Sequence, residues 1–316
     1  CAEAVAAFGP GRAYYATKAF LCTAMARLAY EEGMHLDVAS GGELYVALRA
    51  GVPANALAFH GNNKSLAELR MAITEGVRHI VVDSFDELDR LESLHAEGLP
   101  APKVLARITP GVHAHTHEFI ATGQDDSKFG FNLGNGDAHK AVDRMRRSLS
   151  VQLEGVHCHI GSNVFEAGNF AKAAEVMAAF AMPLDLPELV LGGGLGVPYV
   201  QGEEAPSISQ WGNVLLDACQ ALGVRSNVCV EPGRSIVAGA AITVYTVGTV
   251  KHIPGVRTYV SVDGGMSDNP RPVLYGSGYE AFLPRAVLAP RPERARLVGK
   301  HCESGDVLIF DAELPS

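Results

Sequence analysis

Between Tyr14 and Val230, eight short runs of apolar and β-branched residues alternate with segments of helical periodicity, and this alternation restricts the folds open to the chain. The runs begin at Tyr14 and recur at 35–38, 57–59, 79–82, 104–108, 153–158, 189–191 and 227–230. Helical patterns at 19–32, 42–50, 66–75 and 85–94 separate the first five. Strands joined through helices are parallel neighbours, because a parallel pair needs a long crossover. Eight such units predict an α/β fold, a (β/α)8 TIM-like barrel.

At the C-terminal ends of these runs stand, in order, Lys18, Asp37, His60, Asp83, Arg107, His159, the Gly192-Gly193-Gly194 run and Glu231. Barrel enzymes build their sites on that face, so chemically capable groups at nearly all of these exits point to one catalytic mouth. From Ile236 the pattern changes. AAITVYTVGTV, RTYVSVDGG and DVLIFDAEL read as strands between Pro- and Gly-rich turns, with no convincing helix. The expected division is a barrel over 14–235 and a smaller all-β domain over 236–316.

Composition narrows the partners. A chain of 316 residues with 47% hydrophobic content can bury a large core, which excludes disorder. Its net charge of -9 provides no basic field for nucleic acid or an anionic membrane. No apolar run reaches the ~18 residues of a membrane span, and the opening CAEAVAAFGPGRAYY has neither the basic flank nor the apolar core of a signal peptide. The six cysteines lack CxxC spacing, as expected of reduced thiols rather than a disulfide frame or zinc site. A cytoplasmic protein with small-molecule or protein partners is expected.

Several motifs carry chemistry. Lys18, in Tyr14-Tyr15-Ala16-Thr17-Lys18-Ala19-Phe20, sits where a strand gives way to a helix. Alanine and aromatic neighbours are expected to lower the local dielectric and favour an amine able to condense with an aldehyde such as pyridoxal phosphate. Gly192-Gly193-Gly194-Leu195-Gly196 is not a dinucleotide fingerprint, since GxGxxG from Gly192 needs glycine where Val197 stands. Three glycines at a strand exit suit either an anion nest or a plain tight turn. Glu231-Pro232-Gly233-Arg234 offers a carboxylate for a pyridine nitrogen and an N–H for a phosphate, or simply a closed helix start.

In His157-Cys158-His159-Ile160-Gly161-Ser162 the two histidines share one side of a strand. His159 is placed to lie against a cofactor ring and Ser162 to meet a phosphate. HxH equally suits a metal, and a satisfied core position suits His157. His113, His115 and His117 follow Pro110-Gly111 and read as a solvated or substrate-facing loop rather than a metal cluster. Lys128-Phe129-Gly130 reads as an ordered loop contact. Downstream, His301-Cys302-Glu303-Ser304-Gly305-Asp306 groups a thiol with two carboxylates, which fits a proton donor or a half-exposed inert cysteine.

Taken together, YATKAF, LDVASGGEL, HGNNKS, SKFG, HCHIGS, LGGGLG, EPGR, VDGGMSDN and CESGD resemble, in order and almost end to end, the diaminopimelate decarboxylase family. CESGD resembles that family's form rather than the Cys-Asp form of ornithine decarboxylases. The resemblance implies an alanine-racemase-like barrel and β domain, a homodimer with shared active sites, and pyridoxal 5'-phosphate as cofactor. On matching positions it implies Lys18 as the cofactor-carrying lysine, with His159 stacked on the ring. Ser162, Gly192, Gly193, Gly194 and Gly233 would surround the phosphate, and Glu231 would face the ring nitrogen. Asp37 is placed with this cofactor group, and Arg234 serves both cofactor and substrate. Arg271, Tyr275 and Glu303 would bind the substrate, with Cys302 the proton donor supplied by the partner subunit.

The implied reaction converts meso-2,6-diaminopimelate to L-lysine and CO2, the last step of lysine biosynthesis. The alternatives are a decarboxylase of ornithine, lysine or arginine type, a non-catalytic pyridoxal phosphate carrier, and a metal-dependent hydrolase using His157, His159 and a carboxylate. The family also has a β-domain strand ahead of the position of Cys1 and a Gly-Ala-Tyr segment past that of Ser316. The β domain is therefore expected to be incomplete at both ends. The stretch 170–188 looks short for a helix with its loops.

Overall fold

The structure, a computed structural model, describes residues 1–112 and 123–315. Two compact units are present, one formed by 1–197 with 205–240 and the other by 198–204 with 241–316.

The first unit is a parallel barrel. Its strands are β1 (Tyr14–Ala16), β2 (His35–Val38), β3 (Leu57–Phe59), β4 (His79–Val82), β5 (Lys103–Thr109), β7 (Gln152–His157), β8 (Glu188–Val190) and β9 (Asn227–Cys229), hydrogen-bonded in that order. A two-residue strand, β6 (Phe131–Asn132), pairs with β5 outside this path. The last strand returns to the first: the Tyr14 N–H donates to the Val230 carbonyl at 2.7 Å, and the Val230 N–H to the Arg12 carbonyl at 3.0 Å. Closure removes the exposed edges that an open sheet would carry.

Alternation along the strands builds two cores. Tyr14, Ala58, Val81, Leu105, Val190 and Cys229 form a small cluster inside the ring. Their neighbours Tyr15, Leu57, Phe59, Ile80, Val82, Val104 and Ala106 join the larger cluster packed beneath the helices. Those helices are α1 (Ala2–Phe8), α2 (Thr23–Glu31), α3 (Gly41–Arg49), α4 (Leu66–Glu75), α5 (Phe85–Ala96), α6 (Asp137–Arg147), α7 (Ala167–Ala181), α8 (Ile208–Ala221) and the single turn α9 (Arg234–Val237). Ser40, Ser65, Ser84 and Ser207 each cap a helix by accepting the backbone N–H three residues on. Ser65 with Glu68, and Ser207 with Gln210, complete capping boxes.

Two local expectations are corrected. The helix after β1 starts at Thr23, not at 19, because Thr17–Ala19 forms a 3-10 turn that carries Lys18 out of the strand. The stretch 170–188 holds most of α7 and a 3-10 turn, Met182–Leu184, before β8, so it accommodates the crossover as it stands.

The second unit contains a four-stranded sheet of β10 (Val247–Ile253), β11 (Arg257–Val262), β12 (Glu293–Val298) and β13 (Val307–Leu314) in sequential order. The β11–β12 pair is parallel and the outer pairs are antiparallel. The run read as one strand over 240–250 enters the sheet only from Val247, and a short helix, α10 (Arg271–Tyr275), interrupts the otherwise β pattern.

Candidate active site

The glycine run sits where β7 and β9 leave the barrel. A Cβ on Gly192, Gly193 or Gly194 would overlap the carbonyl of Cys158, Glu231 or Gly161 respectively, and Gly192 and Gly194 take φ of 65° and 101°. Close approach and backbone conformation therefore both require glycine. The Gly193 N–H is not open to solvent as a free nest donor would be; it donates to His159 Nδ1 at 3.3 Å. This contact leaves His159 a neutral imidazole. Burial holds its pKa well below the ordinary histidine value, and the nearby Lys18 and Arg107 charges act in the same direction.

Beside the glycines, an Arg234 guanidinium nitrogen donates to Ser162 Oγ at 3.1 Å, joining two sequence-predicted groups from different strand exits. Gly233 lies against the exit of β1, where an added Cβ would come within 2.9 Å of Ala16 Cβ. Lys18 is exposed on its 3-10 turn, and Phe20 beside it is 55% exposed. The apolar surroundings expected for Lys18 are thus replaced by charged and polar ones. Its positive charge acts on Asp37 and His159.

Beneath the mouth is a buried cluster. His60 Nε2 lies 3.0 Å from Glu231 Oε1 and 3.6 Å from Asp37 Oδ1. His157 Nε2 donates to Glu231 Oε2 at 2.9 Å. Burial alone would raise the Glu231 pKa, yet His157 and His60 hold it well below the usual carboxylate range. Burial raises Asp37. It would lower His60, but the Asp37 and Glu231 carboxylates overcome that and raise it. His157, also buried, is pushed down to about 4. The cluster therefore presents an ionised carboxylate at the mouth. Within it, His157 groups with His60 and Glu231 rather than with His159.

A second network, centred on Lys64, is not apparent from sequence. Fully buried Lys64 donates to the carbonyls of Gly61 (2.8 Å) and Val81 (2.6 Å) and to Glu87 Oε1 (2.7 Å). The other Glu87 oxygen accepts the Asp83 amide at 3.1 Å. Asp83 in turn accepts the Gly130 amide at 2.7 Å, and Arg107 stacks on Phe129 with its guanidinium 4.3 Å from the ring centre. Lys128-Phe129-Gly130 is thus an ordered loop contact. The signals available were the lysine of HGNNKS and the Ser84-to-Glu87 spacing, which alone reads as a cap. His113, His115 and His117 lie outside the described residues.

In the second unit, Arg271 donates to the Tyr279 hydroxyl (3.0 Å) and Ser277 Oγ (3.1 Å), and its guanidinium lies 5.4 Å from the Tyr275 ring centre. Cys302 and Glu303 are exposed on a separate turn. The barrel mouth thus gathers Lys18, Asp37, His159, Ser162, Gly192–Gly194, Glu231, Gly233 and Arg234. These residues fit pyridoxal phosphate: a glycine turn with no side chains of its own, a hydroxyl and guanidinium for an anion, and an ionised carboxylate for a basic ring nitrogen.

Comparison with known proteins agrees with this chemistry. Residues 1–238 match the family model described as pyridoxal-dependent decarboxylase, pyridoxal binding domain. The chain is 47% identical over 312 residues to diaminopimelate decarboxylase of Bacillus subtilis, spanning 95% of this chain and 71% of that protein. With the Mycobacterium bovis protein of the same name it shares 44% identity over 335 residues, spanning 100% and 75%.

The chain belongs to the diaminopimelate decarboxylase family. Its backbone also follows the crystal structure of diaminopimelate decarboxylase from M. jannaschii in co-complex with L-lysine. That match has a TM-score of 0.89 and 32% identity, and covers 99% of this chain and 75% of that one.

Proposed function

We propose that this enzyme decarboxylates meso-2,6-diaminopimelate to L-lysine and CO2, the last step of lysine biosynthesis, with pyridoxal 5'-phosphate as cofactor. The observation that carries this reading is Glu231, held ionised at the barrel mouth by two buried imidazoles. When bound, the cofactor supplies an electron sink for the pair left behind as CO2 departs.

The chain's own residues do the rest. Lys18 would hold the cofactor through its side-chain amine. Glu231 would hold a proton on the ring nitrogen, and neutral His159 would face the ring without adding charge. Gly192–Gly194, Gly233, Ser162 and Arg234 hold the phosphate, with Arg234 also reaching a substrate carboxylate; Asp37 completes the cofactor group. Arg271 and Tyr275 take the distal carboxylate, and Glu303 the distal ammonium. Cys302 gives its proton to the carbon that lost CO2. Arg271 and Glu303 thereby select the substrate, because a shorter diamino acid leaves the Arg271 charge unpaired.

The reading includes a homodimer in which Cys302 serves the partner's site, supported by the family resemblance and by the exposure of Cys302 and Glu303. It also includes a cytoplasmic location, supported by six cysteines without a disulfide. No helix among the described residues is long and apolar enough to cross a membrane.

The test is an absorbance spectrum of the loaded protein with and without meso-diaminopimelate, followed by assay for lysine, with ornithine and lysine as competing substrates. A spectral change and lysine formation are expected only with diaminopimelate. Equal efficiency on ornithine or lysine would overturn the substrate assignment. Borohydride reduction should fix label on Lys18, and label on Lys64, Lys103 or Lys128 would overturn its role.

A further inference from the structure

Glu231 is the last residue of a strand exit, yet the groups that define it come from two other strands. His60 follows β3 and His157 ends β7, and the closed ring brings both onto the one carboxylate. His60 Nε2 stands 3.0 Å from one oxygen and His157 Nε2 donates to the other at 2.9 Å. The two imidazoles meet edge to face, with centroids 5.0 Å apart. His60 is 6% exposed, His157 1% and Glu231 7%, so water cannot substitute for either contact.

The two histidines are not equivalent. His60 lies between two carboxylates, Asp37 at 3.6 Å and Glu231 at 3.0 Å, and is the group that gains by carrying charge. Among the described residues His157 Nδ1 is buried without a hydrogen-bond partner, so a second proton there would be an unpaired donor. One imidazole therefore supplies charge and the other a neutral N–H. Asp37, His60, His157, His159 and the buried thiols Cys158 and Cys229 interact electrostatically with one another or with Glu231, and Arg107 and Lys18 add positive charge at the same mouth.

We propose that His60 and His157 are positioning residues of the decarboxylase, fixing the plane and the negative charge of Glu231 so that it holds a proton on the cofactor's ring nitrogen. This rests on the assignment of Glu231 to that nitrogen. A carboxylate confined by two fixed partners keeps its orientation and its charge, whereas one facing only a low-dielectric wall takes up a proton itself.

The test uses the enzyme loaded with pyridoxal phosphate labelled with 15N at the ring nitrogen, whose NMR shift reports protonation directly. In His60→Gln and His157→Leu the ring nitrogen should release its proton at a pH lower by about one unit, a tenfold loss of proton affinity. Turnover should fall roughly tenfold with KM little changed, and His157→Gln, which keeps an N–H donor, should retain most of the wild-type behaviour. Glu231→Gln is the control.

If Glu231→Gln shifts the ring-nitrogen titration while both histidine variants superimpose on wild type, the proposal is overturned and the role of Glu231 stands. If Glu231→Gln also leaves the titration unchanged, both fall together. Lysine formation by the unaltered enzyme reports separately on the reaction. Should the histidine variants fold poorly, the imidazole 15N signals of the wild type decide. A charged His60 and an Nε2-protonated neutral His157 at neutral pH support the proposal, and two neutral rings overturn it.

Discussion

Asp306 Oδ1 accepts the Met266 amide at 2.6 Å, which ties the turn carrying Cys302 and Glu303 to the DGGMSDN loop. Its other oxygen accepts the His301 amide at 2.9 Å, and the side chain is 2% exposed. Replacing it by alanine leaves two part-buried donors unmet. Asp306→Ala is therefore expected to destabilise this part of the second unit by about 3 kcal/mol, with Asp306→Asn milder because one acceptor remains. Hydrogen exchange of the Met266 and His301 amides measures this, and unchanged protection in the alanine variant would show the contact to be dispensable.

Gly193 and Gly168 separate a required glycine from a tolerated one. A methyl on Gly193 would meet the Glu231 carbonyl, whereas one on Gly168, in α7, meets nothing within 4 Å. Gly193→Ala should lose pyridoxal phosphate on dialysis, read from the visible absorbance. Gly168→Ala should keep it and raise stability by roughly 0.5–1 kcal/mol through the lower entropy of its unfolded chain. Retention of cofactor by Gly193→Ala would mean that the cradle yields.

The barrel was legible because its information is local. Short apolar runs and the helical stretches between them each occupy a few consecutive residues. Chemically capable strand exits then located the mouth. The pairing of Glu231 with His60 and His157 was not legible, since only ring closure brings three strand exits together. The same holds for Lys64 and Glu87, which lie 23 residues apart and meet only in the folded barrel. Strand β12 escaped because its buried face is just Ala295 and Leu297 among charged neighbours. Helix α10 escaped because Asn269-Pro270 reads as a turn, although proline suits the start of a helix equally well.

His157 makes stability of the cofactor-free protein sensitive to acid. Burial lowers its pKa to about 4, while an unfolded histidine titrates near 6.5. Between these values the unfolded chain binds a proton that the folded chain refuses, so stability falls as pH drops through that window. One such group contributes a slope of at most about 1.4 kcal/mol per pH unit. His157→Gln should flatten the unfolding free energy by about that amount between pH 6.5 and 4, measured by urea titration at several pH values. An unaltered slope would place the acid sensitivity elsewhere.

The proposed shared-site homodimer makes a prediction that no single-chain site can meet. Lys18 stands at the barrel mouth and Cys302 on a turn of the second unit. If each working site draws them from different chains, Lys18→Ala and Cys302→Ala proteins are each nearly inactive alone. A mixed dimer then holds one site with both defects and one with neither. Random reassortment makes half the dimers mixed, with one of their two sites intact, so activity should recover to about one quarter of wild type. The measurement is lysine formation after mixing under conditions where subunit exchange is shown by mass-tagged chains. Exchange without recovery would put both residues in the same chain's site and remove the partner from catalysis.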